Sequence, residues 1–206
     1  MKETVSVLTG DIINSRSLPA DTWLTILKNA LSAIGSKKTW EIYRGDSFQI
    51  KTIPEDALLH AIYLKACVRT IKNLDVRVAL GIGDVNFSGK KITESNGEAF
   101  ISSGEKLDEL KRERLNLAIQ SRWPEFDYEM NVSIRLALIA MDSWSQISAE
   151  MVKLSIENTG ISQKDLAELA NKSQSTVSEA LKRAHFNEII ELNNLFKKKL
   201  NSLIHT

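Results

Sequence analysis

The sequence has few of the residues that form disulfides and structural metal sites. Its 206 residues include one cysteine, three prolines and three histidines. A single cysteine excludes an internal disulfide, and His60, His185 and His205 are too scattered for the ligand spacing of a zinc site. Cys67 lies in an apolar helical run, so we interpret it as a small buried hydrophobic residue.

The sequence also lacks a long apolar run and a strong net charge. No apolar stretch approaches the roughly 18 residues of a membrane span. The first residues, Met-Lys-Glu-Thr-Val-Ser, lack the apolar region of a signal peptide, so we expect a cytoplasmic protein with no membrane partner. A formal net charge of +1 favours neither nucleic acid nor membrane in bulk. Hydrophobic residues make up 43% of the chain, enough for the packed core of one large or two small domains.

Hydrophobic periodicity predicts strands and helices in the order β-α-β-β-α-β-α-β up to about residue 128. The predicted strands are 4–9, 39–44, 47–52, 75–87 and 115–121, and the predicted helices are 21–34, 54–73 and 97–114. The first six elements follow the split-βαβ, ferredoxin-like order of an α+β fold. In that topology the first strand lies beside the central hairpin.

Two aspartates are therefore predicted at one edge of the sheet. Asp11 ends the first apolar strand, and Gly45-Asp46 is typical of a tight hairpin turn. Two carboxylates brought together offer the hard oxygen ligands that Mg²⁺ prefers, which suggests nucleotide-phosphate chemistry. The alternative is that each aspartate only completes its own turn. Asp75 and Asp84 are interpreted as solvated residues at strand ends.

From residue 129 onward the sequence predicts helices only. Helical character is sustained over residues 131–157, and a last helix is predicted from about 187 to 203. We interpret residues 1–128 as an α+β domain and residues 129–206 as an all-α domain.

Residues 162–184 have the pattern of a helix-turn-helix and resemble bacterial domains of that kind. Ser162 can cap a first helix with Asp165 three residues on, and Ala167 is small where a second helix must cross closely. Short polar side chains at the start of the second helix suit base edges in a major groove, and the cations that follow suit phosphates. The candidate DNA contacts are Gln174, Ser175, Thr176, Ser178, Lys182 and Arg183.

The charge of this region leaves the role of the helix-turn-helix open. Residues 145–206 hold eight Lys and Arg against seven Asp and Glu. Because phosphate contacts supply much of DNA affinity, one copy should bind weakly, and we expect a homodimer that presents two recognition helices. The final helix could form the dimer contact or could pack on its own domain. The alternative is a helix-turn-helix that makes only protein contacts.

The N-terminal region resembles the palm domain of class III nucleotide cyclases and related polymerase-like palms. Asp11-Ile12 and Gly45-Asp46 match the two carboxylate positions of that family, and residues 76–85 and 97–107 look like the strand and helix that follow. The resemblance implies that Asp11 and Asp46 hold Mg²⁺, which in such enzymes bridges the triphosphate and activates the attacking hydroxyl.

The sequence departs from the cyclase pattern in the helix that carries the family's asparagine and arginine. The nearest positions here are Ile101, Ser102, Glu105 and Lys106. Without the arginine's two-pronged phosphate contact we expect binding to survive where cyclisation does not. Lys106 is a candidate ligand contact, and no catalytic residue is assigned.

Across its full length the chain is most similar to the SatD family of bacterial proteins. The similarity rests on residues 8–16, the Gly-Asp-Ser-Phe-Gln hairpin at 45–49, residues 77–83 and the helix-turn-helix. It places Arg16 near a bound phosphate, with Arg44 nearby.

Three hypotheses follow from the sequence. The first is a regulator that senses a nucleotide or another phosphate-bearing ligand through its palm-like domain and binds DNA. The second is a divergent Mg²⁺-dependent cyclase or nucleotidyltransferase, and the third is a non-catalytic interaction scaffold.

Overall fold

The structure is a computed structural model that describes residues 4–204, and it is a mixed protein of one largely antiparallel sheet and many helices. The strands are β1 (Thr4–Ile13), β2 (Trp40–Tyr43), β3 (Ser47–Thr52), β4 (Asp75–Phe87), β5 (Asn96–Gly97) and β6 (Leu117–Gln120). The helices are α1 (Ala20–Ile34), α2 (Ala57–Arg69), α3 (Glu98–Glu113), α4 (Pro124–Met141), α5 (Gln146–Glu157), α6 (Gln163–Leu169), α7 (Gln174–Arg183) and α8 (Phe186–Ile204).

The sheet has β1 at its centre. The strand order is β2-β3-β1-β4, and each of these neighbouring pairs is antiparallel. The long strand β4 also pairs with β5 near its end and, in parallel, with β6 near its start. In this register Asp11 lies opposite Ser47 on one side and Arg77 on the other.

The two faces of the sheet bury different helices because side chains alternate along each strand. Leu8 and Ile12 of β1 join the main core with α1 and α2, whereas Val5 and Val7 pack on the opposite side with α3. Helix α3 approaches β4 closely at Gly81, where an added Cβ would lie 2.0 Å from the Ala99 carbonyl oxygen.

Helix α2 lies between the sheet and the C-terminal helices. Ten of its 13 residues are buried, so it presents apolar side chains on nearly all sides. The main hydrophobic cluster runs from the sheet through α2 to Met130, Trp144, Val152 and Phe196. The domain boundary at residue 128 stays a prediction, and the hydrophobic core is continuous across it.

Several predicted elements need correction. The first strand continues to Ile13, so Asp11 lies inside β1 and not at its end. The helical stretch predicted over 131–157 is two helices, α4 and α5, and Ser145 caps the second by accepting a hydrogen bond from the Ser148 N–H. Asp75 is buried, at 8% exposure, and is not a solvated strand end. No helix within residues 4–204 has the length and apolar character needed to cross a lipid bilayer.

Candidate functional site

The edge formed by the end of β1 and the β2–β3 hairpin brings Asp11 and Asp46 together. The Ile12 N–H donates to the Asp46 carbonyl oxygen over 3.1 Å, which confirms the adjacency that the topology predicted. The backbones of β1 and β4 approach closely at Gly10, where an added Cβ would lie 2.4 Å from the Arg77 carbonyl oxygen. The backbone thus holds both aspartates at one end of the sheet.

The Asp11 carboxylate is already neutralised by two cations. Arg77 Nη1 lies 2.9 Å from one carboxylate oxygen and Lys111 Nζ lies 3.1 Å from the other. Arg77 comes from β4 and Lys111 from α3, so the carboxylate ties the sheet to the helix that covers it. The Asp11 side chain is only 13% exposed, and solvent therefore screens these pairs less than it would at an open surface.

Asp46 has a different partner. The Ser15 hydroxyl donates to Asp46 Oδ2 over 2.5 Å, and the Ser15 carbonyl accepts from the Trp23 indole N–H over 3.3 Å. The short turn after β1 is thereby fixed to both the hairpin and α1. Asp46 is half-buried and makes no ion pair within residues 4–204.

The side chains at this edge fit an anion better than a divalent cation. Mg²⁺ favours carboxylate oxygens with little competing positive charge, and here Arg77 and Lys111 hold both oxygens of Asp11. No group of three or more His, Cys, Asp or Glu side chains within the described part of the chain is arranged to hold a metal. A magnesium ion at Asp11 and Asp46 stays a prediction, and its binding would require the two cations to move away from Asp11.

The other predicted ligand contacts are partly gathered here. Arg16 and Arg44 are both exposed at this edge, and Arg44 has a left-handed backbone with φ of 52°. Burial raises the pKa of the neighbouring Tyr43, Arg44 opposes that shift, and Asp11 adds to it.

Lys106 lies elsewhere. It pairs with Glu109 over 2.5 Å and lines a small crevice beside β6 and α4. The α3 cation that the structure places on Asp11 is Lys111, one helical turn and a half further on.

A cleft next to this edge contains functional candidates that the sequence reasoning missed. It lies between the end of β1, the start of β4 and the α4–α5 connection, and has a volume of about 640 Å³. Its charged lining residues are Arg69, Lys72, Asp75, Arg77 and Arg114. The signal in the sequence was Arg77, a cation at a half-buried position directly before the apolar run 78–82 of β4.

Helices α6 and α7 follow one another across the turn at residues 170–173. Helices α5, α6 and α7 bury a compact apolar cluster of Met151, Leu166, Ala167, Val177 and Ala180. Both helices have a serine at the N-cap. Ser162 accepts from the Asp165 N–H, as the sequence predicted, and Ser173 accepts from the Thr176 N–H.

The polar residues of α7 lie on its outer face. Gln174, Ser175, Ser178, Lys182 and Arg183 are exposed, and Thr176 is half-buried. Thr176 also contacts the Ser173 hydroxyl over 2.8 Å, so it helps to cap the helix. Arg183 makes an exposed pair with Glu179 over 3.1 Å, one turn back. The start of α7 is therefore free for contacts with another molecule.

The final helix α8 packs on its own chain. Phe196 and Leu200 are fully buried, and the Phe196 ring lies 5.7 Å from that of Phe126 in α4. An apolar groove remains between α4 and α8, with Leu136 and Ile139 exposed. Packing on the chain's own core is thus observed, and a dimer contact stays a prediction.

The comparisons with known proteins give no family. No protein-family model matches the chain, and no curated protein matches it significantly. The resemblance to the SatD family and to cyclase palms therefore stays a prediction, and the functional argument rests on the geometry above.

Proposed function

We propose that this protein is a DNA-binding regulator that reads DNA through α7. One observation carries the proposal: the start of α7 presents Gln174, Ser175 and Ser178 outward, while its opposite face is buried against α5 and α6. A short helix with that division of faces is what a recognition helix in the major groove requires. A DNA partner also implies a cytoplasmic location.

The near-neutral charge of the region sets the expected mode of binding. Lys182 and Arg183 are the cations of α7, and few phosphate contacts give weak affinity per copy. Two copies, each presenting α7 to one half-site, would raise the affinity by binding together. The proposal therefore includes a homodimer on DNA.

The sheet region is the proposed sensing domain. Its strand order β2-β3-β1-β4, with a helix before and after the hairpin, supports a ferredoxin-like, palm-like assignment. The edge with Asp11, Asp46, Arg16 and Arg44 is then the proposed place for a phosphate-bearing ligand.

The test is selection of bound sequences from a random duplex library, followed by anisotropy titrations of the selected DNA. We expect a specific site with two related halves, and a Gln174→Ala variant that keeps non-specific affinity but discriminates less among bases. Failure to enrich any sequence, with folding verified, would contradict the proposal and leave α7 as a surface for protein contacts.

A second candidate is a Mg²⁺-dependent nucleotide enzyme, which the adjacency of Asp11 and Asp46 favours. Thermal melting with ATP, GTP, CTP and UTP, with and without Mg²⁺, tests for the site. Asp46→Ala is the informative variant because, within residues 4–204, the Asp46 carboxylate accepts only from the Ser15 hydroxyl. Asp11→Ala would also leave Arg77 and Lys111 without their partner.

The outcomes separate the alternatives. A Mg²⁺-dependent shift lost in Asp46→Ala, with turnover of nucleotide, would support the enzyme. A shift without turnover would support a sensor, and no shift with any nucleotide would leave the sheet as a scaffold. Ser15→Ala is the matched control, because it removes the same hydrogen bond and keeps the carboxylate.

A further inference from the structure

We propose that the cleft between the sheet and the α4–α5 connection binds a phosphate-bearing small molecule and transmits its occupancy to α7. The regulatory half of this inference rests on the proposed DNA-binding function, whereas the binding half does not. We name the cleft by the residues that line it and carry the argument, Arg69, Lys72, Arg77, Arg114, Trp144 and Gln146.

The charge of the cleft is strongly positive. Four of its five charged lining residues are cations, and the fifth, Asp75, pairs both with the buried Lys65 over 2.8 Å and with Arg69 over 2.8 Å. Clustered guanidinium groups suit the oxygens of phosphate, which they can contact in pairs. A volume of about 640 Å³ falls in the range of small-molecule sites.

Two of the arginines are held in fixed positions. Arg69 donates to the Trp144 carbonyl oxygen over 2.7 Å and to Asp75 over 2.8 Å. Arg77 donates to Asp11 and, through Nε, to the Leu115 carbonyl oxygen over 3.2 Å. No hydrogen bond in the described chain uses Nη2 of Arg77, so this group retains donors for a ligand.

Among residues 4–204, the other two cations have no acidic partner. Lys72 and Arg114 are exposed, and neither makes an ion pair with any residue in 4–204. Arg114 ends α3 with a left-handed backbone, φ of 57°, a conformation that glycine adopts more easily. Asn14 and Asn73, which also line the cleft, share positive φ values of 63° and 65° and are joined by a hydrogen bond over 3.1 Å.

Trp144 connects the cleft to the recognition helix. Its carbonyl oxygen accepts from Arg69, and its indole N–H donates to the carbonyl oxygen of Ala184, the residue that ends α7, over 2.9 Å. Gln146, the first residue of α5, donates to the Thr70 carbonyl oxygen over 2.9 Å. A ligand that draws Arg69 toward itself therefore acts on the residues that hold α5 and α7.

The test uses inorganic pyrophosphate and ATP as probes, in EDTA to exclude divalent metals. Isothermal titration should show binding by the full chain, weakened about tenfold for each cation removed in Lys72→Ala and Arg114→Gly. Both positions are exposed, and glycine relieves the backbone at Arg114, so melting without ligand should stay unchanged or rise. Lys28→Ala is the matched control, an exposed lysine on α1 outside the cleft.

Coupling is read from DNA affinity with and without saturating pyrophosphate. We expect the ratio of the two dissociation constants to depart from one in the wild type and to return toward one in Trp144→Phe, which keeps an aromatic ring but loses the N–H to Ala184. Circular dichroism and melting verify that this variant folds.

Each outcome decides one part of the proposal. No heat of binding with either probe, or equal binding by wild type and the Lys72→Ala/Arg114→Gly variant, overturns the cleft as a phosphate site. If the double variant loses DNA affinity without any pyrophosphate, these cations contact DNA and the small-molecule assignment is wrong. Binding of pyrophosphate by a protein that binds no DNA would keep the site and refute only the proposed function.

Discussion

The ammonium group of Lys65 lies 2.8 Å from Asp75 in an interior where Lys65 is only 2% exposed. Asp142, at the end of α4, lies 2.6 Å from the same ammonium group. Three elements, α2, β4 and α4, therefore meet at one buried cation. Removing an ion from water is costly, so this arrangement persists only because its charges are compensated.

Asp75→Asn should be among the most destabilising single substitutions in the chain. It removes the negative charge that both Lys65 and Arg69 contact, and breaking a buried pair typically costs about 3–5 kcal/mol. Urea unfolding followed by circular dichroism measures the loss. Asp142→Asn should cost about 1 kcal/mol, because that side chain is 41% exposed and Lys65 keeps Asp75. Equal losses for the two variants would refute this account.

Replacement by alanine should change stability in opposite directions at Gly81, which α3 covers, and at Gly104, which lies within α3. At Gly81 the new methyl group would lie 2.0 Å from the Ala99 carbonyl oxygen, so α3 must shift, at a cost of about 1–3 kcal/mol. At Gly104 an added Cβ would face open space, and alanine should stabilise the helix by about 0.5–1 kcal/mol. Thermal unfolding of the two variants gives both signs in one experiment.

Stability should fall as the pH drops below about 6.5. Burial lowers the pKa of His60, and Lys197 acts in the same direction while Asp56 opposes it. As the pH falls, His60 is protonated in the unfolded chain before it is protonated in the folded one. The stability that neutral His60 contributes is therefore complete above the unfolded pKa and is lost as the pH falls toward the lowered folded pKa. His60→Gln should flatten the stability curve between pH 7 and 5, measured by urea midpoints. An unchanged curve would show that other groups control this range.

The Cys67 thiol should be inert in the folded protein. Burial raises the pKa of Cys67 to about 12, so almost no thiolate exists at pH 8. A disulfide reagent should react quickly in denaturant and slowly without it, at a rate set by opening of the structure. Rapid reaction of the folded protein would contradict the buried position of Cys67 in α2.

Salt dependence should separate the two kinds of contact in α7. Arg183→Ala should weaken binding to every duplex and reduce the slope of log affinity against log salt by about one. Its pair with Glu179 is exposed and contributes little to folding, so stability should hardly change. Gln174→Ala should leave the slope intact. If both variants bind as wild type does, α7 is not the reading helix.

Local signals in the sequence predicted most of the elements. The residue pattern over 75–87 predicted β4 at its full length, and Gly45-Asp46 predicted the turn between β2 and β3. Pro19 preceded α1 and Gly35 followed it, as the periodicity indicated. These features depend on residues within a few positions of one another, which is why a single sequence is enough to predict them.

The partners of Asp11 could not be predicted in the same way. Arg77 lies 66 positions away and reaches Asp11 only through the pairing of β1 with β4. Lys111 and Lys106 are both cations of α3, and the rotation of that helix on the sheet decides which one faces Asp11. Asp75 was misread for the same reason, because its neutralising lysine comes from α2. Contacts between distant segments therefore decided the chemistry of the site.

The burial of α2 on nearly all sides also bears on how this protein could have been assembled. A DNA-binding domain on a flexible linker can be exchanged between proteins, because it buries its apolar residues without help from its neighbours. Here the helices that support α7 share one hydrophobic core with α2 and the sheet, so excising residues 129–204 would expose the apolar side chains that α5 and α8 pack against α2. The two halves must change together, and a transplanted C-terminal half would aggregate unless a matching α2 accompanied it.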